Sequence, residues 1–377
     1  MAVRRCDVLV VGGGPAGSSC AWALRSAGFD VLVLDRAQFP RDKVCAGWIT
    51  PAVVRALRLN PDEYRAAGLV IQAFYGFRTS VIDGREIETR YDTVVSYAIR
   101  RCEFDQFLLR RSGARVLERT ALATLRRARD RWIANDDIEA AVVVGAGGHF
   151  CPVARQFRGV HQAAGLVVAQ ETEVELPEPE RCAIQPDVPE LYFCRDLDGY
   201  GWCVRKGDFL NVGIGRRDSR RFPAHVRAFT QWLEETGRAP RVATTAAWRG
   251  HAYLLTGSTT APPVDDGLML IGDAAGLAYR ESGEGIRPAV ESGLLAAETL
   301  TAANGRRRRD DLMPYADRLR AQQPAAGVAS WLPRALVPPI GRMLLSSPTF
   351  TRKVVIDRWF LRSDTAGLTT AAARRAA

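Results

Sequence analysis

Lysine, histidine and long hydrophobic runs are all scarce in this chain. Of its 377 residues only Lys43, Lys206 and Lys353 are lysines, and only His149, His161, His225 and His251 are histidines. The histidines lack ligand spacing, so no metal centre is expected. Eight cysteines, at 6, 20, 45, 102, 151, 182, 194 and 203, include no Cys-x-x-Cys pair. That argues against a zinc ribbon or a disulfide framework and suits reduced, mostly buried thiols. No stretch reaches the roughly 18 uncharged apolar residues that a spanning helix needs. The arginines before Val8–Val11 imitate a signal peptide, but no small-residue cleavage site follows. The expected location is therefore cytoplasmic, with a peripheral membrane position left open.

The net charge of +10 is carried almost wholly by arginine. No basic stripe is interleaved with aromatics, so nucleic acid is not an expected partner. The excess still favours anionic partners such as a membrane surface or a phosphorylated substrate. With 47% hydrophobic and 25% charged residues the chain is globular, and long enough for one large or two intertwined domains.

The chain is organised around Val8–Arg36, VLVVGGGPAGSSCAWALRSAGFDVLVLDR. Val8–Val11 is an apolar run of strand length, a helical pattern follows through Ser26, and Val31–Leu34 forms a second buried strand ending in Asp35. Gly12 permits the tight turn, and Gly14 lets backbone approach a pyrophosphate with no Cβ in the way. Gly17 allows close packing of helix on strand, and the helix N-terminus offers unpaired N–H groups. Asp35 is placed to accept from an adenosine ribose. Together these residues make a dinucleotide site.

Farther along, residues 52–58 form a short helix and Leu69–Phe77 a strand, and Asp83-Gly84 turns a hairpin over 82–91. Cys102–Arg111 is an amphipathic helix. Arg115–Leu117, Ala121–Leu125 and Trp132–Ala134 read as short strands of a second layer, and Ile138–Val144 as a buried strand. From Leu166 to Ile214 the pattern is β-rich, and Phe222–Glu235 is helical. The return to nucleotide-type strands after this excursion implies interleaving. A Rossmann-like α/β nucleotide domain is assigned to 1–68, 98–165 and 258–305, with a β-rich substrate domain over 69–97 and 166–257. A helical C-terminal segment covers 306–377.

The second anchor is Leu268–Gly293, LMLIGDAAGLAYRESGEGIRPAVESG. A buried strand delivers Gly272 and Asp273 to a turn, where the carboxylate can accept from the hydroxyls of a flavin ribityl chain. Gly283-Glu284-Gly285 then opens a long helix to about Ala303, whose N-terminus favours negative charge on a reduced ring. Glycine on both sides of Glu284 lets backbone lie against a flat ring.

GGGPAG, Asp35-Arg36, KVCAG, IRRCEFD, YGW and GDAAG with SGEGI together resemble the geranylgeranyl reductase family, within the hydroxylase-like flavoproteins. The resemblance spans nearly the whole chain. It implies FAD bound extended, with Gly12, Gly14, Pro15, Ala16, Gly17, Asp35 and Arg36 at the adenosine half and Gly272, Asp273, Gly283, Gly285 and Ile286 at the flavin half. By the same resemblance Arg101 faces the cofactor, Ala121 lies by the adenine, and Cys45 stands near the flavin. Tyr200 and Trp202 match the start of the family's YxWxFP motif, which lines the substrate cavity. By themselves, a lone cysteine reads as an inert buried thiol, and an aromatic pair two apart on a strand as core packing.

Three departures bear on the substrate. Val204-Arg205 replaces Phe-Pro, Gly145-Ala146-Gly147 replaces Asp-Gly, and Arg280 stands where the family has proline beside the flavin. Arg280 either stabilises an anionic flavin or substrate group, or turns outward to Glu281 or Glu284. The leading expectation is an FAD-dependent enzyme reducing a carbon–carbon double bond of an apolar, isoprenoid-like substrate, with Cys45 or Tyr200 supplying the proton and Trp202 and Arg280 completing the site. An NADPH- and oxygen-dependent monooxygenase of an aromatic or polyketide-type substrate is the alternative. A non-catalytic flavoprotein, suggested by the altered GAGGHFC turn, is the third. The donor is NADPH or another reductant, including a redox partner protein. Residues 331–361 combine short apolar stretches with arginines, and read either as helices covering the FAD domain or as a surface resting on a bilayer.

Overall fold

The computed structural model describes residues 3–158, 165–257, 261–322, 336–363, 365, 367 and 368. Its first layer is an eight-stranded sheet. The core order is Val264–Asp265, Leu268–Leu270, Ile138–Gly145, Arg4–Val11, Val31–Leu34 and Arg115–Leu117. All pairings but the Val264–Asp265 edge are parallel. Val8–Val11 and Val31–Leu34 are apolar at every position because both faces of this sheet are covered.

Two helices converge on this sheet. Pro15–Ser26 starts with proline at its first turn, where the missing N–H costs nothing. Ile286–Ala303 lies against it at backbone contact distance: a Cβ on Gly293 would stand 2.3 Å from the Ala16 carbonyl oxygen. Gly17 is as confined, since its Cβ would meet the Gly12 oxygen at 1.9 Å and Val10 at 3.0 Å.

The second layer is a seven-stranded sheet ordered Arg249–Leu254, Leu166–Glu175, Phe209–Arg216, Gly199–Lys206, Glu190–Phe193, Gly76–Val81 and Ile87–Arg90. Phe222–Glu235 covers one face through Phe222, Val226, Phe229 and Leu233. A three-stranded sheet of Trp48–Ile49, Ser96–Ile99 and Ile71–Phe74 bridges the two layers.

Three local expectations are corrected. Arg115–Leu117 is no second layer; it extends the main sheet beside Val31–Leu34. The strand expected over Ala121–Leu125 begins only at Leu125 and runs to Ala128, in a hairpin with Arg131–Ala134 that grows from Ile138–Gly145. Asn135 accounts for this, because its side chain accepts from the N–H groups of Ala123 and Thr124 and leaves no ladder for them to join. The strand expected over Leu69–Phe77 is two strands in different sheets, Ile71–Phe74 and Gly76–Val81.

The C-terminal segment departs from expectation too. Thr351–Phe360 packs Val355, Ile356 and Phe360 among Trp48, Phe77 and Trp202, so it covers the β-rich layer and not the nucleotide sheet. Part of the segment expected to meet a membrane, residues 331–335, lies outside the described residues. Among the described residues no helix is long and apolar enough to cross a membrane.

Glycine-to-alanine changes inside a helix ordinarily stabilise by about 1 kcal/mol. At Gly293 the clash is with backbone, which cannot step aside, so Gly293→Ala is expected to destabilise by roughly 1–3 kcal/mol instead. Denaturant midpoints of parent and variant decide the sign.

Candidate active site

One elongated cleft, of about 760 Å³, runs between the layers. At one end it is lined by Asp35, Arg36, Thr120 and Ala121, and along its middle by Gly12, Gly14, Pro15, Ala16 and Arg41. At the other end Cys45, Arg101, Asp273, Gly283, Gly285 and Ile286 meet Tyr200 and Trp202. Gly17 and Gly272 are absent from the lining and act from behind. Gly17 sets the helix on its strand, and Gly272 (φ +57°) turns the chain towards Asp273, its N–H bonded to the Ser292 hydroxyl at 3.0 Å.

The turn after the first strand has the predicted strain. Gly12 sits at φ +117°, and a Cβ there would meet the Ala146 oxygen at 2.5 Å. The altered Gly145-Ala146-Gly147 turn therefore still closes tightly on the first motif. Asp35 accepts from Gly13 N–H at 2.7 Å and Ala37 N–H at 2.8 Å, which holds the carboxylate at the cleft while lone pairs remain for a further donor.

Neither Gly14 nor Gly285, the caps of the two long helices, makes a side-chain cap bond. Both residues line the cleft, so both sets of amino-terminal N–H groups are presented to a ligand. Arg41 and Arg101 add cationic charge between them, and both pair with the buried Asp105. An extended ligand with an anionic middle and a flat, electron-rich end fits this lining. Asp273 stands beside the second terminus, 3.3 Å from where a Gly285 Cβ would be. Burial raises its carboxyl pKa, opposed by Lys43, Arg101 and His149.

Cys45 is half-buried. Its backbone N–H donates to Glu171 Oε1 at 2.6 Å, and its sulfur accepts from Gly47 N–H at 3.3 Å. Gly47 (φ +67°) leaves no room for a side chain, because a Cβ would stand 2.4 Å from the Ile99 oxygen. The Tyr200 hydroxyl donates to the Ser282 carbonyl, and its pKa is raised far above the ordinary value by burial. Trp202 donates to Asn211 at 2.7 Å and lies over Gly213. Trp48, Tyr200 and Phe360 close an aromatic wall, with Phe360 centroids 5.6 and 5.5 Å from Trp48 and Tyr200.

Arg280 is the correction here. It is exposed and does not line the cleft. Neither expected partner takes it: Glu281 pairs with Arg362 at 3.7 Å, and Glu284 is buried with no hydrogen-bond partner on either carboxylate oxygen among the described residues. The chain at 279–284 folds back on itself, with Tyr279 and Glu284 exchanging a backbone bond at 3.0 Å, which carries Arg280 outward.

Sequence reasoning missed a polar group at the same end. Lys43 Nζ lies 2.5 Å from His251 Nε2. Burial lowers Lys43 to about 8, and burial together with Lys43 holds His251 near 3, so the imidazole is neutral. Two buried acids were also missed. Burial raises Glu171 and Glu284 each to about 7, against the pull of Lys206 and of Arg287. A signal for Glu171 exists: Glu171 and Glu173 share one face of an interior strand of a sheet. For His251 there is none, since it lies on a strand without a motif.

The comparisons agree with this geometry. A family model described as FAD dependent oxidoreductase matches residues 7–107. A digeranylgeranylglycerophospholipid reductase of Methanothrix thermoacetophila is 30% identical over 349 residues, covering 84% of this chain and 83% of that protein. A menaquinone reductase of Mycobacterium tuberculosis is 30% identical over 339 residues, covering 78% and 76%. Among solved structures, a geranylgeranyl bacteriochlorophyll reductase-like protein of Thermoplasma acidophilum superposes with TM-score 0.69 at 20% identity, covering 99% of this chain and 96% of that one. The halogenase PltM reaches 0.69 at 18% identity, covering 92% and 78%, which shows a shared fold.

Glu171 carries a pH prediction. Its folded pKa of about 7 lies above the ordinary 4.5, so the folded chain keeps a proton that the unfolded chain has lost. The resulting stability is complete below pH 4.5 and is lost as pH rises through 7. Glu171→Gln stays neutral throughout. Relative to the parent, it should gain on the order of 3 kcal/mol across that window. Urea unfolding of both proteins at several pH values measures this, and a constant difference refutes it.

Proposed function

The chain belongs to the geranylgeranyl reductase family of FAD-dependent oxidoreductases, and on that premise we propose that it reduces a carbon–carbon double bond of an apolar, isoprenoid-like substrate. The observation that carries this reading is the convergence of two open helix N-termini with Cys45, Tyr200 and Trp202 in one cleft. The names of the relatives supply the substrate class: digeranylgeranylglycerophospholipid and menaquinone both bear isoprenoid chains.

FAD, when bound and reduced, supplies a hydride. Gly12, Gly14, Pro15 and Ala16 would hold its pyrophosphate, with Arg41 beside Gly14 and Gly17 setting the helix behind them. Asp35, Arg36 and Ala121 would hold the adenosine, and Arg101, Asp273, Gly283, Gly285 and Ile286 the ribityl and ring portion, with Gly272 turning the chain to present Asp273. Trp48, Tyr200 and Trp202, backed by Phe360, furnish dry walls that exclude water from the reacting carbon.

Saturating a double bond requires a proton as well as a hydride. Between the two candidate sources the hydrogen bonds favour Cys45. The Tyr200 proton is already committed to the Ser282 carbonyl. Cys45 sulfur instead accepts from Gly47 N–H, and among the described residues no acceptor takes its own proton, which is left free to point into the cleft. Tyr200 is better suited to holding the Ser282–Gly285 turn against the substrate wall. The electrons come from NADPH or from a redox partner protein.

The monooxygenase alternative draws on Arg280 and on Val204-Arg205 in place of Phe-Pro, and the outward position of Arg280 removes the first of these two supports. The test is direct. Enzyme photoreduced without oxygen should be reoxidised by a polyprenyl substrate, and failure with every polyprenyl tried overturns the proposal. Cys45→Ser should slow that reoxidation by roughly 100-fold or more, and Tyr200→Phe by less. The reverse order would assign the proton to Tyr200.

A further inference from the structure

We propose that the helix Val337–Leu345 and the pocket beside it form a docking site for the anionic headgroups of a lipid bilayer. This goes beyond the reduction of a double bond and does not rest on it.

The helix Val337–Leu345 buries none of its residues. Its neighbours differ: Arg309–Ala321 buries Leu312, Tyr315, Ala316 and Leu319, and Thr351–Phe360 buries Val355, Ile356 and Phe360. At about 100° per residue, Leu336, Ile340 and Met343 fall on one face. Leu336 is 47% and Met343 65% exposed. The side carrying Gly341 faces the protein, since a Cβ there would lie 2.3 Å from Leu197. The helix is thus seated on the β-rich layer with its apolar stripe outward.

Beside it is a second cavity, of about 340 Å³, between the helix, the 81–85 turn and Arg195. Val81, Ile82 and Leu345 contribute its apolar lining, and its charged groups are Arg85, Arg195 and Arg342 with one acid, Asp83. Arg195 is paired with Asp83. Arg85 and Arg342 both line this cavity and have no ion pair among the described residues. From Leu336 to Ile356 there is no acidic residue, whereas Arg342, Arg352 and Lys353 are basic. An exposed apolar stripe beside unpaired arginines matches a surface that is anionic outside and hydrocarbon beneath. A protein partner fits less well, because one nine-residue helix offers far less than the roughly 800 Å² per side of a stable interface.

The position is functional. Thr351–Phe360 follows directly and contributes Phe360 to the aromatic wall beside Tyr200. Docking this face would bring the chamber wall to the bilayer surface.

The test is flotation of the full-length flavin-loaded chain with vesicles of phosphatidylcholine alone or mixed with phosphatidylglycerol. Binding is expected only to the mixed vesicles, and should weaken with salt. R85A/R342A should lower partitioning roughly fivefold for each arginine removed. Met343→Ser should also lower it, with flavin absorbance and melting temperature unchanged in both variants as proof of folding. Millimolar inorganic phosphate should leave vesicle binding in place, because a single anion does not replace the apolar insertion. No binding, equal binding to both vesicles, full competition by phosphate, or binding unchanged in R85A/R342A would each overturn the proposal. Reduction of detergent-dispersed substrate is measured separately, so the two readings fail independently.

Discussion

Parallel pairing of three strands is the constraint on which the rest of the molecule depends. Arg4–Val11 pairs with Ile138–Gly145, and Ile138–Gly145 with Leu268–Leu270, all pointing the same way. Parallel strands deliver their carboxyl ends to one edge, so Gly12 and Gly272 emerge there on either side of Gly145 although most of the chain lies between them. Each turn leads into a long helix whose first N–H groups are uncapped by side chains. The close approach of Gly293 to Ala16 locks those two helices together. The anion-binding middle and the ring-binding end of the cleft follow from that one arrangement.

The β-rich layer contributes a different kind of order. It reaches across the cleft with side chains: Glu171 holds the Cys45 backbone, and Lys206 stands against Gly47 while paired to Glu173 at 2.6 Å. The loop bearing Cys45 has little secondary structure of its own, so its shape is imposed by these buried polar contacts. Such contacts are sensitive to the loss of one member, because the remaining charge stays buried. Burial, working against these contacts at Glu171 and against Arg287 at Glu284, holds protons on two carboxyls in this region near neutrality.

The C-terminal segment closes the chamber and is tied to the nucleotide layer. Arg287, on the helix that opens at the flavin end, pairs with Glu291 at 2.9 Å and donates to the carbonyls of Arg362 and Thr365. The same segment places Phe360 beside Trp48 and Tyr200. The wall of the chamber and the helix terminus at its floor are therefore mechanically joined.

Local chemistry made much of this legible from the chain alone. Glycine where backbone must meet backbone, a proline that opens a helix and an acid closing a strand each have a cause within a few residues. Those features determined the nucleotide turn, the second anchor and, with Cys45, Tyr200 and Trp202, the composition of the site. Tertiary structure decided what depends on distant partners. Arg280 was ambiguous in sequence because a long side chain can turn either way, and the backbone bond between Tyr279 and Glu284 sends it outward. The meeting of Lys43 with His251, and of Glu171 with Cys45, joins residues from separate layers. No periodicity or spacing records such a meeting, since it exists only when the two sheets have closed over the cleft.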